Sequence, residues 1–285
     1  MPGNSECLNH HEYNWPSADG LMLFAQDWMP EKKPRAVIEY VHGFKDHSGR
    51  FTAWAKKLTG EGYGVMAVDL RGHGHSEGRR GYASRFDLYL QDVMELCTRS
   101  RNLYSDVPHI LYGHSLGGNI VTNFLIRGNG MPDAAVITSP WFTLSIKPSL
   151  PALIGAGLLR YILPFVLVRS DLDPKGLSHD PEIVKNYVND PLVHNKILPR
   201  LFFDIEHNGL MASRNIYKIN IPLLVMHGSA DPIASCRQTR TFVMNAGRRT
   251  TYKEWSGCYH ELHNDTLAEE VFGFLVSWLD KQVPR

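Results

Sequence analysis

One serine in this chain of 285 residues sits in a setting that can turn a hydroxyl into a nucleophile. The stretch His109 to Asn123 runs from an apolar segment (Ile110, Leu111, Tyr112) through Gly113-His114-Ser115-Leu116-Gly117 into Ile120, Phe124 and Leu125 at helical spacing. That pattern predicts a strand, a sharp turn and a helix. A serine in such a turn is held at strained backbone angles. Glycines are needed two positions before and after it, because side chains there would strike the neighbouring strand and helix. A serine hydroxyl is a weak nucleophile at neutral pH, so the chemistry demands a base, an acid to orient that base, and donors for a developing oxyanion.

In doubly wound sheets reactive groups gather where strands end at their carboxyl edges. Phe44, Ser115, Asp231 and His260 each follow directly on a predicted strand. The order Ser115, Asp231, His260 is that of an α/β-hydrolase triad, with His260 as base and Asp231 holding its imidazole. His263 is the rival base, and it comes later after the Ser256-Gly257 turn. Asp265 is the competing acid, but its position predicts the N-cap of the last helix. The oxyanion donors of that geometry are the backbone N–H groups of Leu116, after the serine, and Phe44, in the loop after an earlier strand. His73-x-His75 and His10-His11 lack further ligands at zinc spacing, so no metal is expected. The chain carries neither G-x-G-x-x-G nor a P-loop, so no nucleotide or other cofactor is implied.

The elements that must position these groups alternate. Residues 1–20 read as a loose arm ending in the turn Ala18-Asp19-Gly20, and Leu21 to Trp28 as a strand opening the sheet in antiparallel fashion. Further strands are expected at Ala36 to Val41, Gly64 to Val68, the serine strand, Ala134 to Thr138, Ile221 to Met226 and Thr250 to Trp255. Helices are expected at Phe51 to Leu58, Phe86 to Leu103, after Ser115, and at Thr266 to Leu279. Alternation of this kind implies a mainly parallel sheet of about eight strands with helices on both faces. Asp69, Arg71 and Gly72 to Gly78 read as a fixed turn beside the site. Between Trp141 and Arg214 the rhythm breaks. Pro148 to Val168 is apolar enough to raise a membrane span, but Pro151, Gly155, Gly157, Arg160 and Pro164 argue against one. Short amphipathic helices covering a pocket, with a tendency to touch lipid, suit the composition better. The division expected is a core over 1–140 and 215–285, with a cap inserted at 141–214.

Lys plus Arg (30) balances Asp plus Glu (29), which supplies no electrostatic case for nucleic acid. Cys7, Cys97, Cys236 and Cys258 lack C-x-x-C spacing and suit a reducing compartment. The polar stretch Met1 to Trp15 shows no secretory signal. A cytoplasmic protein is expected, peripheral to a membrane if the cap meets lipid. One sequence does not give the oligomeric state.

His42-Gly43-Phe44-Lys45-Asp46-His47-Ser48-Gly49-Arg50, Asp69 to Gly74, Gly113 to Gly118, Asp190-Pro191-Leu192, His227 to Asp231 and Tyr259-His260-Glu261-Leu262-His263 resemble the monoacylglycerol lipase and lysophospholipase branch of the α/β hydrolases. The resemblance runs from about Asp19 onward, and the first and last of these motifs are specific to that branch. It implies that His260 is the base and that Asp46, Arg50, Tyr187 and His263 line a polar pocket for the glycerol leaving group. Asp46 stands where a glutamate is more familiar, and a shorter carboxylate would reach a headgroup through water. A structural salt bridge pinning the loop is the alternative account of Asp46 and Arg50. The resemblance also implies a cap that admits the acyl chain, with Leu153, Ile154, Leu158 and Phe165 as candidates for the acyl pocket or a lipid-touching face. The expected activity is cleavage of a single-chain lipid ester, a monoacylglycerol, through an acyl-enzyme. The alternatives are a lysophospholipase or broader carboxylesterase and, in a different class, a ligand-binding or receptor protein that does not turn over.

Overall fold

The computed structural model describes residues 9–128, 132–170 and 172–283. In chain order, β1 (Asn9–Pro16), β2 (Met22–Met29), β3 (Val37–Val41), α1 (Thr52–Gly60), β4 (Gly64–Val68), α2 (Asp87–Leu103), β5 (His109–His114), α3 (Leu116–Ile126) and β6 (Ala134–Thr138) come first. They are followed by α4 (Leu150–Ile162), β7 (Val168–Arg169), α5 (Pro181–Asn189), β8 (Lys196–Ile197) and α6 (Pro199–Asn215). The remaining elements are β9 (Leu223–Gly228), α7 (Cys236–Met244), β10 (Thr250–Trp255) and α8 (Ala268–Gln282).

Eight of the strands make one sheet in the order β1-β2-β4-β3-β5-β6-β9-β10. Only the β1–β2 and β2–β4 pairs are antiparallel. The inner parallel strands are short, largely apolar runs because both faces of the sheet are covered there, while the edge strand β10 is polar and half-buried. Alternate residues therefore enter two separate cores. Val37 and Val41 of β3 pack toward α2, α3, α6 and α7, while Ile38 and Tyr40 pack toward α1 and α8. Helical spacing supplies the matching stripes, Tyr89, Val93, Leu96 and Cys97 on α2 and Val271, Leu275, Trp278 and Leu279 on α8. From β3 the chain moves first to β4 on one side and then to β5 on the other. That switch point opens a crevice at the carboxyl ends of β3 and β5, which pair in register with Val41 opposite Gly113.

One expectation needs correction. The supposed loose arm contains β1, which pairs with β2 along its whole length, from Asn9 opposite Met29 to Pro16 opposite Met22. Its inward face is amphipathic: His11 and Tyr13 reach the buried Asp27 at 3.0 and 2.6 Å, and Trp15 is buried. Asn9 and His11 are polar on that same face, as suits an edge strand, so the period of two shows only at Tyr13 and Trp15. Within the expected cap range, α6 packs beside α3 as a layer helix. Leu201 and Ile205 are fully buried, and Asn119 Nδ2 donates to the carbonyls of Trp141 and Ile205 at 2.7 and 2.9 Å. At Gly209 a Cβ would lie 2.1 Å from the Phe142 carbonyl, so the helix sits against backbone there. By contrast α4 has no buried residue, and β7 and β8 pair in a two-residue ribbon. No helix among the described residues is long and apolar enough to cross a membrane.

Candidate active site

Ser115 stands between β5 and α3 at φ 54°, ψ −115°, a conformation that non-glycine residues rarely adopt. The flanking glycines explain how the turn fits. A Cβ on Gly113 would lie 2.4 Å from the Gly117 carbonyl oxygen, and one on Gly117 would lie 2.0 Å from that of Val41. The turn is fastened by Ser115 N–H to Thr138 O (3.0 Å) and by Trp141 N–H to Ser115 O (2.9 Å).

His260 follows β10, with Nε2 2.9 Å from Ser115 Oγ and Nδ1 2.7 Å from Asp231 Oδ2. Asp231 can only accept, so Nδ1 carries the proton and the Nε2 lone pair faces the serine hydroxyl, the tautomer a general base requires. Asp231 Oδ1 accepts the Ile233 and Ala234 amides at 2.8 and 3.0 Å, and Oδ2 also takes His227 Nε2–H at 3.0 Å. Burial would raise the Asp231 pKa, but the charge of His260 and the two histidine hydrogen bonds overcome it and hold the carboxyl well below its usual range. For His260, burial lowers the pKa and the Asp231 charge and hydrogen bond raise it, with the net shift upward. The Asp231 loop and the His260 loop are both braced from the insert. Leu177 O accepts the Glu261 amide at 2.8 Å, and a Cβ on Gly176 would lie 2.6 Å from Pro232.

Leu116 is the first residue of α3, so its N–H has no acceptor within the helix and lies at the positive end of the helix dipole. Gly43 lies against the nucleophile, where a Cβ would sit 3.1 Å from Ser115 Cβ, and this brings the Gly43–Phe44 peptide to the serine. His42 fixes that peptide. Its Nε2 accepts the Leu70 amide at 2.9 Å, so Nδ1 carries the proton and donates to Gly43 O at 2.7 Å. That carbonyl belongs to the peptide unit whose other end is the Phe44 N–H. The His-Gly pair was visible in the sequence motif, but its role depends on Leu70, which only the folded chain brings near. The turn from Asp69 to Gly78 is fixed as expected: Asp69 accepts the Ser48 and His75 amides at 2.7 and 2.8 Å, and Arg71 pairs with Asp92 at 2.6 Å.

Of the residues expected around a headgroup, Asp46, Arg50 and Tyr187 line the cleft over Ser115 together. Arg50 Nη1 bonds Asp46 Oδ1 at 2.9 Å, and its guanidinium lies 4.7 Å from the centre of the Tyr187 ring. His263 does not line the cleft. It is packed behind it against Phe51, Trp54 and His114, and burial pushes its pKa down. A further residue enters that sequence reading left unassigned: Glu261 takes Arg50 in a bidentate pair at 2.8 and 2.9 Å. Its position immediately after the base was the available signal. Asp265 is not a helix N-cap. Its carboxylate accepts the amides of His179 and Tyr259 at 2.9 and 2.6 Å and so ties α5's approach to the His260 loop.

The cleft over Ser115 has a volume of about 30 Å³ and shares Trp141, Leu172, Asp173 and Ile233 with a larger cavity of about 530 Å³ beneath α4. Leu153 lines that cavity beside Ala152, Ala156 and Phe202. Ile154, Leu158 and Phe165 do not line it; they face outward at 56%, 58% and 66% exposure. A helix three turns long presents only one stripe to a cavity; Ile154 and Leu158 fall on its other side, and Phe165 lies beyond its end.

The arrangement can perform acyl transfer: a nucleophile, a correctly poised base, an anchoring carboxylate and two amides beside the reacting atom. Residues 32–267 match the Hydrolase_4 family, described as serine aminopeptidase, S33. A monoacylglycerol lipase of Mycolicibacterium smegmatis is 30% identical over 275 residues, covering 94% of this chain and 96% of that protein. A monoglyceride lipase of Mus musculus is 31% identical over 276 residues, covering 94% and 89%. A phospholipase of Bacillus subtilis is 26% identical over 259 residues, covering 88% and 97%. The crystal structure of a monoacylglycerol lipase from Paleococcus ferrophilus superposes with a TM-score of 0.78 at 30% identity, covering 96% of this chain and 99% of that one. The chain therefore belongs to the Hydrolase_4 (serine aminopeptidase, S33) family and is a serine hydrolase of the monoacylglycerol-lipase-like kind on an α/β-hydrolase fold.

Proposed function

We propose that the protein cleaves single-chain lipid esters, a monoacylglycerol first among them, to a fatty acid and an alcohol through an acyl-enzyme on Ser115. The pair of hydrogen bonds that join Ser115 Oγ, His260 and Asp231 at 2.9 and 2.7 Å carries this assignment. His260 Nε2 takes the hydroxyl proton as Oγ bonds to the ester carbon, and the carbonyl pair moves onto oxygen, where the Phe44 and Leu116 amides receive the charge. Collapse breaks the bond to the alcohol, which leaves with the proton from His260. Water then gives a proton to His260 and its oxygen to the acyl carbon, and Ser115 departs with that proton as the fatty acid is released. Asp231 stabilises the imidazolium at both stages. Asp46, Arg50 and Tyr187 orient the alcohol, and the cavity lined by Leu153 and Phe202 holds the acyl chain.

The outward residues of α4 and the segment after it suit transient contact with a lipid surface, since Leu150, Ile154, Leu158 and Ile162 of α4 and Phe165 beyond it are all more than half exposed. A cytoplasmic enzyme that visits a membrane for its substrate is consistent with that face. The phospholipase relative favours a lysophospholipid as the second substrate. Steady-state hydrolysis of a monoacylglycerol and the matching lysophosphatidylcholine, by wild type and Ser115→Ala, tests the proposal. Turnover of the glyceride that drops by a factor on the order of 10⁴ to 10⁶ in the variant is the expected result. A faster lysophospholipid reaction makes it a lysophospholipase, and a single slow acylation without turnover makes it a binding protein.

A further inference from the structure

The charges around the leaving-group side of the cleft do not balance. Among the described residues Arg50 is the one lysine or arginine lining it, and it is already engaged: Nη1 by Asp46 Oδ1 and Glu261 Oε1, Nη2 by Glu261 Oε2, and one face by the Tyr187 ring. Glu261 is held in that pose from outside the pair, with Oε2 accepting Asn264 Nδ2–H at 2.7 Å and its backbone N–H bonded to Leu177 O. Asp173 adds a third carboxylate to the lining. Burial pushes His114, which lines the cleft, and His42 and His263 behind it toward their neutral forms, and His260, whose pKa is raised, is already paired with Asp231. Lys45, next to Asp46 in the chain, does not line the cleft. Asp46 and Glu261 are themselves kept ionised by Arg50 against the effect of burial.

We propose that Glu261, with Asp46, makes the leaving-group pocket selective by charge: it accepts alcohols that are neutral polyols or carry an amine, and it excludes alcohols that carry a phosphate monoester. The proposal rests on the esterase reading above and names its substrate class. A guanidinium is the ordinary partner for phosphate, through a planar fork of donors. Here the Nη1–Nη2 fork is already occupied by a carboxylate of the same geometry, so an incoming phosphate meets anions where it would meet the guanidinium. A hydroxyl or ammonium instead finds Asp46, whose Oδ1 serves both Arg50 and the His47 amide while Oδ2 takes up neither. A zwitterionic choline phosphodiester falls between the two extremes, since its cation offsets part of the repulsion.

The test compares kcat/KM for 1-oleoylglycerol and 1-oleoylglycerol 3-phosphate in wild type, Glu261→Gln and Asp46→Asn. Wild type is expected to favour the neutral ester by about 100-fold or more, because like charges brought together at a contact discriminate strongly. Glu261→Gln frees half of the Arg50 fork and is expected to narrow that ratio at least tenfold, chiefly through a lower KM for the phosphate ester. Asp46→Asn is expected to narrow it in the same direction. A purely structural role for Glu261 would slow both substrates equally, so a ratio unchanged within about twofold overturns the proposal, as does a wild type that handles both esters alike. Butyrate esters of a neutral and a sulfonated nitrophenol read the same charge preference without a glyceride. If no lipid is cleaved the glyceride reading falls, and the ratio on these two esters in wild type and Glu261→Gln still decides whether Glu261 selects by charge.

Discussion

Two helices of this protein look alike as sequence and live in opposite surroundings. α3 and α4 are both strongly apolar, 11 and 13 residues long. Every residue of α3 from Leu116 to Leu125 is buried, between β5 on one side and α2 and α6 on the other, whereas α4 has none buried. The first carries the nucleophile's turn and cannot move without moving Ser115. The second roofs a cavity and turns Leu150, Ile154 and Leu158 to the outside. Apolar character thus serves two purposes here. In α3 it anchors the Ser115 turn to the sheet, and in α4 it lines a cavity on one side and leaves apolar residues exposed on the other.

The comparison is sharpest in stability. Phe124 is fully buried, and Phe124→Ala is expected to destabilise the fold by about 3–5 kcal/mol, the cost of lost burial plus a cavity. Chemical denaturation reads this directly, and a loss under about 1 kcal/mol would mean that α3 is not the anchor described. A middle-sized effect belongs to the catalytic corner itself. His260 must be neutral to act, and its pKa is raised above the ordinary value near 6.5, so the acid limb of kcat/KM is expected above that pH. Below it, activity falls about tenfold per pH unit, and a flat profile between about pH 5 and 8 would remove His260 from the base role. The smallest change in stability is expected in α4. Ile154→Ser with Leu158→Ser should shift it by no more than about 0.5 kcal/mol, as exposed substitutions do. Hydrolysis of a soluble short-chain ester should persist while turnover of substrate in vesicles drops. Equal loss on both would assign the two residues to the pocket.

Much of the site was legible because its signals are local. Gly113 and Gly117 bracket Ser115 at a spacing imposed by steric contact within a few residues. Asp231 follows β9, whose apolar run Leu223 to Met226 is plain to see, and His260 follows the edge strand β10, which shows itself through Thr250, Thr251, Tyr252 and Trp255. The edge strand β1 departs from the sequence expectation for a reason also local: Asn9 and His11 are polar on the face that Tyr13 and Trp15 share, so the alternation is short, and the pairing of His11 and Tyr13 with Asp27 is made across the hairpin. The residues around the headgroup were named with Glu261 absent and His263 placed too far forward. Pairing between residues 211 positions apart, as in Arg50 and Glu261, leaves no periodic trace.

The sequence by itself determined the strand–turn–helix around Ser115, the succession of parallel strands, and the chain order of nucleophile, acid and base. Those follow from steric limits on the backbone and from the periods of 2 and 3.6, which each short segment carries within it. Tertiary structure alone decided which apolar helix is buried, which face of α4 meets the cavity, that His42 braces the Phe44 peptide through Leu70, and that Arg50 is claimed by two carboxylates. Burial and ion pairing depend on what occupies the far side of a contact, and that is settled only when the sheet has brought its strand ends together.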